Sequence, residues 1–169
     1  TGRLKPVVSE NTTIRVYPAD QESRKIDFEI RLTARENNMR IGGAENSKGY
    51  GGFSVRLDLP NPVQFHSRLG PVAPQRTPVE AGPWINVPDS LANNTAGFAI
   101  LSHPSLPGFP QHWILRSHRG MQNAVYPGRF PVPLSTKRPL VLRYRLVIYR
   151  GQIDMQQMEV WQSEYEQSS

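Results

Sequence analysis

Residues 139–151 read PLVLRYRLVIYRG, and this stretch decides the fold. Leu140, Leu142, Tyr144, Leu146 and Ile148 alternate with Val141, Arg143, Arg145, Val147 and Tyr149. A period of two marks a strand whose two faces meet different surroundings, because successive side chains of an extended chain point to opposite sides. The second face begins polar at Arg143 and Arg145 and turns apolar at Val147 and Tyr149, so it is predicted to be covered only late in the strand. KIDFEIRLTA at 25–34 repeats the pattern, with Ile26, Phe28, Ile30 and Leu32 opposite Asp27, Glu29 and Arg31. TTIRVYP at 12–18 reads as its antiparallel neighbour, joined to it through the turn-forming PADQESR.

Working outward, YGGFSVRLDL at 50–59 turns Phe53, Val55, Leu57 and Leu59 inward, and its paired glycines mark a bulge or the close approach of a backbone or ligand. Prolines at 60, 62, 71, 74, 78 and 83 predict a long surface excursion with one short strand near Val63 to His66. WINV, GFAILSH, HWILRS and MQNAVY are short strands separated by DSLANN, PSLPGFPQ and an HRG turn. At the C-terminal end, 152–166 is predicted as a helix packed on the sheet: Asp154 caps it, and Met155, Met158, Trp161 and Tyr165 recur at helical spacing. The same stripe would also suit a partner protein. The expected fold is an all-β antiparallel sandwich with one C-terminal helix, a single domain over 1–169.

The chain has 169 residues and no cysteine, which excludes disulfides, thiolate metal sites and a cysteine nucleophile. No apolar run approaches the roughly 18 residues needed to span a bilayer, so a soluble chain is expected. Its opening at Thr1, with strand-like sequence soon after, predicts that an N-terminal portion is missing. Twenty Lys+Arg against 14 Asp+Glu give a net charge of +6, which invites an anionic partner. The cations are nevertheless scattered, and only Arg143, Arg145 and Arg150 gather in one segment. Arg143 and Arg145 read as a solvated strand face, and nucleic acid is a minor expectation.

The chemistry concentrates between Trp84 and Gly120, which holds two of the three tryptophans and three of the four histidines. Imidazoles titrate near neutrality, and a tryptophan ring offers a flat apolar face. No metal or other cofactor is specified. His66, His103, His112 and His118 form no HxH or HExxH pair. His103 and His112 flank one loop that could bring both rings together with Asp89 or Glu80, but no spacing requires it. Ser102 beside His103 lacks the GxSxG elbow of a serine hydrolase, and GGAENSKGYGG at 42–52 lacks the spacing of a phosphate loop. Glu45 in that loop is a candidate acid or base opposite His103, and a polar turn is its structural alternative.

One resemblance extends this reading. Gly51, Gly52 and Arg56; Trp84; Gly97, Ile100, His103 and Pro104; Trp113, Arg116 and Gly120; and Leu142, Tyr144, Arg145 and Gly151 follow in an order that resembles the C-terminal half of bacterial PmoA-like domains of unknown function. The likeness covers roughly residues 25 to 165. That family's label names a multi-span methane oxygenase, which a chain without a span cannot be. The resemblance instead implies a supersandwich similar to galactose mutarotase-like domains, periplasmic or secreted, with a carbohydrate on one sheet face. It implies Arg56, Trp84, His103, Arg116 and His118 as substrate-binding residues, with His103 and Glu45 as weak catalytic candidates. Arg56 and Arg116 serve equally well as ion-pair partners across a sheet. The alternative function is a noncatalytic assembly module that binds a second copy, another protein or an upstream segment of its own chain.

Overall fold

The computed structural model describes residues 4–91, 95–117 and 120–168. Twelve strands and one helix follow in order: β1 (Val8–Val16), β2 (Ser23–Ala34), β3 (Arg40–Ile41), β4 (Gly52–Arg56), β5 (Phe65–Ser67), β6 (Gly70–Val72), β7 (Trp84–Leu91), β8 (Ala96–Ser102), β9 (Trp113–Leu115), β10 (Met121–Val125), β11 (Val132–Pro133), β12 (Leu140–Arg150) and α1 (Met155–Glu166). A seven-stranded antiparallel sheet runs β1-β2-β12-β8-β7-β5-β6, a three-stranded sheet runs β4-β10-β9, and β3 pairs with β11.

The two larger sheets form the sandwich. Phe65, Ile85, Val87, Phe98, Ile100, Leu142 and Tyr144 of the large sheet pack against Phe53, Trp113, Leu115 and Ala124 of the small one. Phe53 stacks on Tyr144 with ring centroids 4.7 Å apart. Burying a large apolar side chain of this kind contributes about 1.5–3 kcal/mol, so this inner layer supplies most of the driving force.

The opposite face of the large sheet is covered by α1. Trp84, Ala99, Leu101, Val147 and Tyr149 pack against Met158, Trp161 and Tyr165, which explains why the second face of β12 turns apolar at Val147. Asp154 accepts a hydrogen bond from the Gln157 backbone N–H at 2.8 Å and so caps the helix, as its sequence predicts. The buried stripe differs in one respect: Met155 is exposed, and Gln162 is buried beside Met158, Trp161 and Tyr165. Among the described residues no helix is long and apolar enough to cross a membrane.

The expected surface excursion at 60–83 is corrected. Val63, Phe65 and Ala81 are buried, and β5 and β6 extend the large sheet to its far edge. β5 overlaps the one short strand expected near Val63 to His66; proline disguises β6, yet Pro71 lies in this edge strand, where a missing backbone donor costs no ladder bond. The glycine-rich 42–52 segment packs against 124–128. A Cβ on Gly43 would stand 1.9 Å from the Tyr50 carbonyl oxygen, and Gly52 has φ +78° with its Cβ position 2.5 Å from the Ala124 carbonyl. These glycines therefore serve the close approach of backbones.

Candidate functional site

The five residues expected to bind substrate fall in separate layers. Trp84, at the start of β7, is 1% exposed beneath α1, and its Nε1–H donates to Glu159 Oε1 at 3.0 Å. It therefore has no ring face open to a ligand. Glu159 also takes both arms of the Arg68 guanidinium. The expectation failed because alternation marks which side of β7 carries Trp84 but not that a helix 70 residues later covers that side.

His103 is likewise buried in the helix layer, edge-on to Tyr165 with centroids 5.1 Å apart. Its Nδ1 accepts from the Ser105 backbone N–H at 3.1 Å and lies 2.8 Å from Ser105 Oγ, so the ring organises the loop after β8. Its Nε2 is buried, with no hydrogen-bond partner within bonding geometry among the described residues. Glu45 is exposed in the 42–52 segment, and the His103 side-chain hydrogen bonds among the described residues go to Ser105, not to Glu45. His118 lies outside the described residues. His112 Nε2 is 3.7 Å from Glu80 on the exposed surface, away from His103. No group of three His, Asp or Glu that could hold a metal occurs among the described residues.

Burial pushes the His103 imidazole below its ordinary value, and Arg143 adds to this, while the Ser168 backbone, Glu166 and Asp27 oppose it. A lowered folded value means that the neutral ring's contribution to stability is full above about pH 6.5 and is lost as pH falls through the folded value. Glu29, held low by Arg143, and Glu159, held low by Arg68, act in the same direction in a lower window, below the ordinary carboxylate value of 4.5. The melting temperature is therefore expected to drop between pH 7.5 and 5.5, and His103→Gln should flatten that slope. Equal slopes for both proteins would contradict the assignment.

The arginines sort themselves by partner. Arg145 in β12 is 5% exposed, forms a two-pronged pair with Asp27 at 2.6 and 2.8 Å, and lies 4.5 Å from the Tyr165 ring centroid. Arg143 pairs with Glu29 at 2.8 Å. The expected solvated face is thus a paired ladder partly under the helix. Among the described residues the Lys and Arg ion pairs are Lys5–Glu36, Lys25–Glu164, Arg31–Glu29, Arg68–Glu159, Arg143–Glu29 and Arg145–Asp27. All belong to the large sheet, its flanks or the helix.

On the small sheet three arginines have no ion pair among the described residues. Arg56 at the end of β4, Arg76 from the 74–76 loop and Arg116 just after β9 line one cleft of about 280 Å3 with Gln75, Ser117 and Met121. No carboxylate lines it, and none of the three guanidinium groups has a carboxylate partner among the described residues. The equal choice between ion pair and ligand contact left open for Arg56 and Arg116 is thereby narrowed: neither is an ion-pair partner among the described residues.

Local structure fixes this cleft. Arg56 lies opposite Met121 in the β4–β10 register. The fully buried Gln122 side chain accepts from the Arg116 backbone N–H and donates to its carbonyl, each at 3.0 Å, which holds the strand end in place of further ladder bonds. Arg116 Nη1 donates to Tyr50 Oη at 3.1 Å. The Gln75 backbone N–H donates to the Leu115 carbonyl at 2.7 Å and pins the loop carrying Arg76. Sequence reading missed Arg76 and Gln75 because they are distant in the chain; their only signal was the length of the proline-rich segment around them.

A family model matches residues 2–162, covering every strand and most of α1. The chain belongs to DUF6807, a family of unknown function. No curated protein and no solved structure matches this DUF6807 chain. The match carries no link to PmoA or to galactose mutarotase. What this DUF6807 domain offers chemically is therefore read from its own cleft: three cationic forks, an amide and a hydroxyl, open to solvent.

Proposed function

We propose that this DUF6807 domain is a binding module for an anionic carbohydrate, held in the arginine cleft. The observation that carries the reading is the convergence of Arg56, Arg76 and Arg116 from three separate segments with no carboxylate among the described residues to neutralise them. An arginine fork pairs with planar and tetrahedral oxyanions through two parallel hydrogen bonds. Gln75 and Ser117 add neutral partners suited to sugar hydroxyls, and Pro74 and Met121 add apolar surface. The reading involves no catalysis by His103 and Glu45, which lie outside the cleft.

A glycan array spanning acidic and neutral sugars, probed at low and high salt, tests it. Acidic glycans are expected to be retained at low salt and released as salt screens the exposed charges. Retention of neutral glycans alone, or of none, contradicts the reading.

A second reading, assembly with another copy, is favoured by β1. This edge strand leaves Ile14 and Val16 57% and 55% exposed, and unpaired edges template strand addition. Light scattering would show a dimer whose population rises with concentration; a monomer throughout removes this reading.

A further inference from the structure

We infer that the charged group recognised by the cleft is a tetrahedral oxyanion ester on a sugar, a sulfate or phosphate, rather than a carboxylate; this rests on the reading of the cleft as an anionic-carbohydrate site. The argument is one of donor count and direction. A carboxylate presents only two oxygens, both in one plane, and a single guanidinium fork engages both of them. Here three forks approach from the end of β4, from the 74–76 loop and from the strand end after β9. Only one of their donors is engaged within the described protein, Arg116 Nη1 on Tyr50 Oη. A monoester of sulfate or phosphate presents three terminal oxygens pointing in three directions, which matches three separated forks. Two neighbouring carboxylates would also satisfy them, but the cleft is about 280 Å3, just below the roughly 300–1,000 Å3 of small-molecule pockets. That is room for one substituted ring rather than a run of two.

The backbones that carry Arg76 and Arg116 are also held before any ligand arrives. Gln122 clamps the Arg116 backbone, the Gln75 N–H pins its loop, and the Gly120 N–H donates to the Ser117 carbonyl at 2.9 Å to close the turn. Repulsion among three arginines is relieved where the ligand's charge reaches each of them: a sulfate monoester carries the same single charge as a carboxylate and a phosphate monoester up to two, and both spread it over three terminal oxygens.

The test is a titration of the intact chain with sodium sulfate, phosphate and acetate, followed by galactose 6-sulfate, galactose 6-phosphate, galacturonate and galactose, read by amide chemical shifts at constant ionic strength. Sulfate or phosphate is expected to perturb residues 56, 75, 76 and 116 where acetate does not. The matching sugar ester should bind at least about tenfold more tightly than galacturonate, with galactose silent. Arg76→Gln should weaken the ester at least about tenfold while the spectrum elsewhere stays folded. Which of the two esters binds identifies the source of the oxyanion. Galacturonate binding as tightly as both esters overturns this inference and leaves the acidic-carbohydrate reading standing. Silence from every charged probe overturns both.

Discussion

Combining Arg56→Ala with Arg116→Ala is expected to weaken acidic-glycan binding by at least about 100-fold while leaving the fold intact. Each arginine lies on the outer side of the small sheet, and neither is part of either apolar cluster. Removal therefore opens no cavity in the core. What is lost is charge-assisted hydrogen bonding, on the order of 1.5–3 kcal/mol for each group, and two such losses amount to two or more powers of ten in affinity. Arg116→Ala also frees Tyr50 Oη, a half-buried hydroxyl that water can satisfy. Isothermal titration against a bound acidic sugar, beside a thermal melt of each variant, measures both sides of the claim. Retained affinity with a normal melt would place the ligand elsewhere.

Trp84→Ala is expected to have the opposite signature, a large loss of stability with unchanged affinity per folded molecule. Trp84 is among the largest fully buried side chains, and it joins β7 to Met158 and Trp161 of α1. Truncating a buried tryptophan costs about 3–5 kcal/mol through lost burial and the cavity left behind. The Glu159 carboxylate also loses the indole donor, though it retains Arg68. Because a domain of this size shifts by roughly 2–4 °C per kcal/mol, the melting temperature should fall on the order of 10 °C. The arginine cleft lies on the far side of the large sheet, on the small sheet's outer face, so binding by the folded fraction should persist. A specific loss of binding at full stability would restore Trp84 as a ligand contact. Urea denaturation monitored by circular dichroism, with titration of the folded protein, separates the two outcomes.

These two variants also mark where sequence reading reaches and where it stops. Alternation in β2 and β12 identified both faces correctly, because a period of two is a local property of extended chain, and even the late covering of β12 was written in Val147 and Tyr149. The helix was legible from Asp154 and its apolar stripe for the same reason. The two-residue strands β3 and β11 were not, since so short a segment holds no period, and β6 was hidden by Pro71, which an edge position tolerates, whereas β5 overlaps the one short strand expected near Val63 to His66. Trp84 and His103 looked like ligand groups because they are rare and chemically versatile. Whether such a ring faces a ligand or a helix depends on contacts with residues near 160, which no local pattern encodes.

The arginines show the converse. Read along the chain they are scattered, and Arg143 and Arg145 looked like the only concentration of charge. Folding pairs those two with Glu29 and Asp27 and gathers Arg56, Arg76 and Arg116, drawn from sixty residues of sequence, into one cleft. Arg56 and Arg116 were reachable as candidates through their motif positions, but Arg76 was not, because its role arises from the Gln75–Leu115 backbone bond that folds its loop toward β9.

The most direct test is to observe the arginine Nε–Hε groups by nuclear magnetic resonance while adding galactose 6-sulfate. The account predicts that the Arg56, Arg76 and Arg116 signals shift together and saturate at one affinity, while Arg143 and Arg145, already held by Glu29 and Asp27, stay in place. Signals from the cleft that remain still while the paired arginines or none at all respond would contradict it.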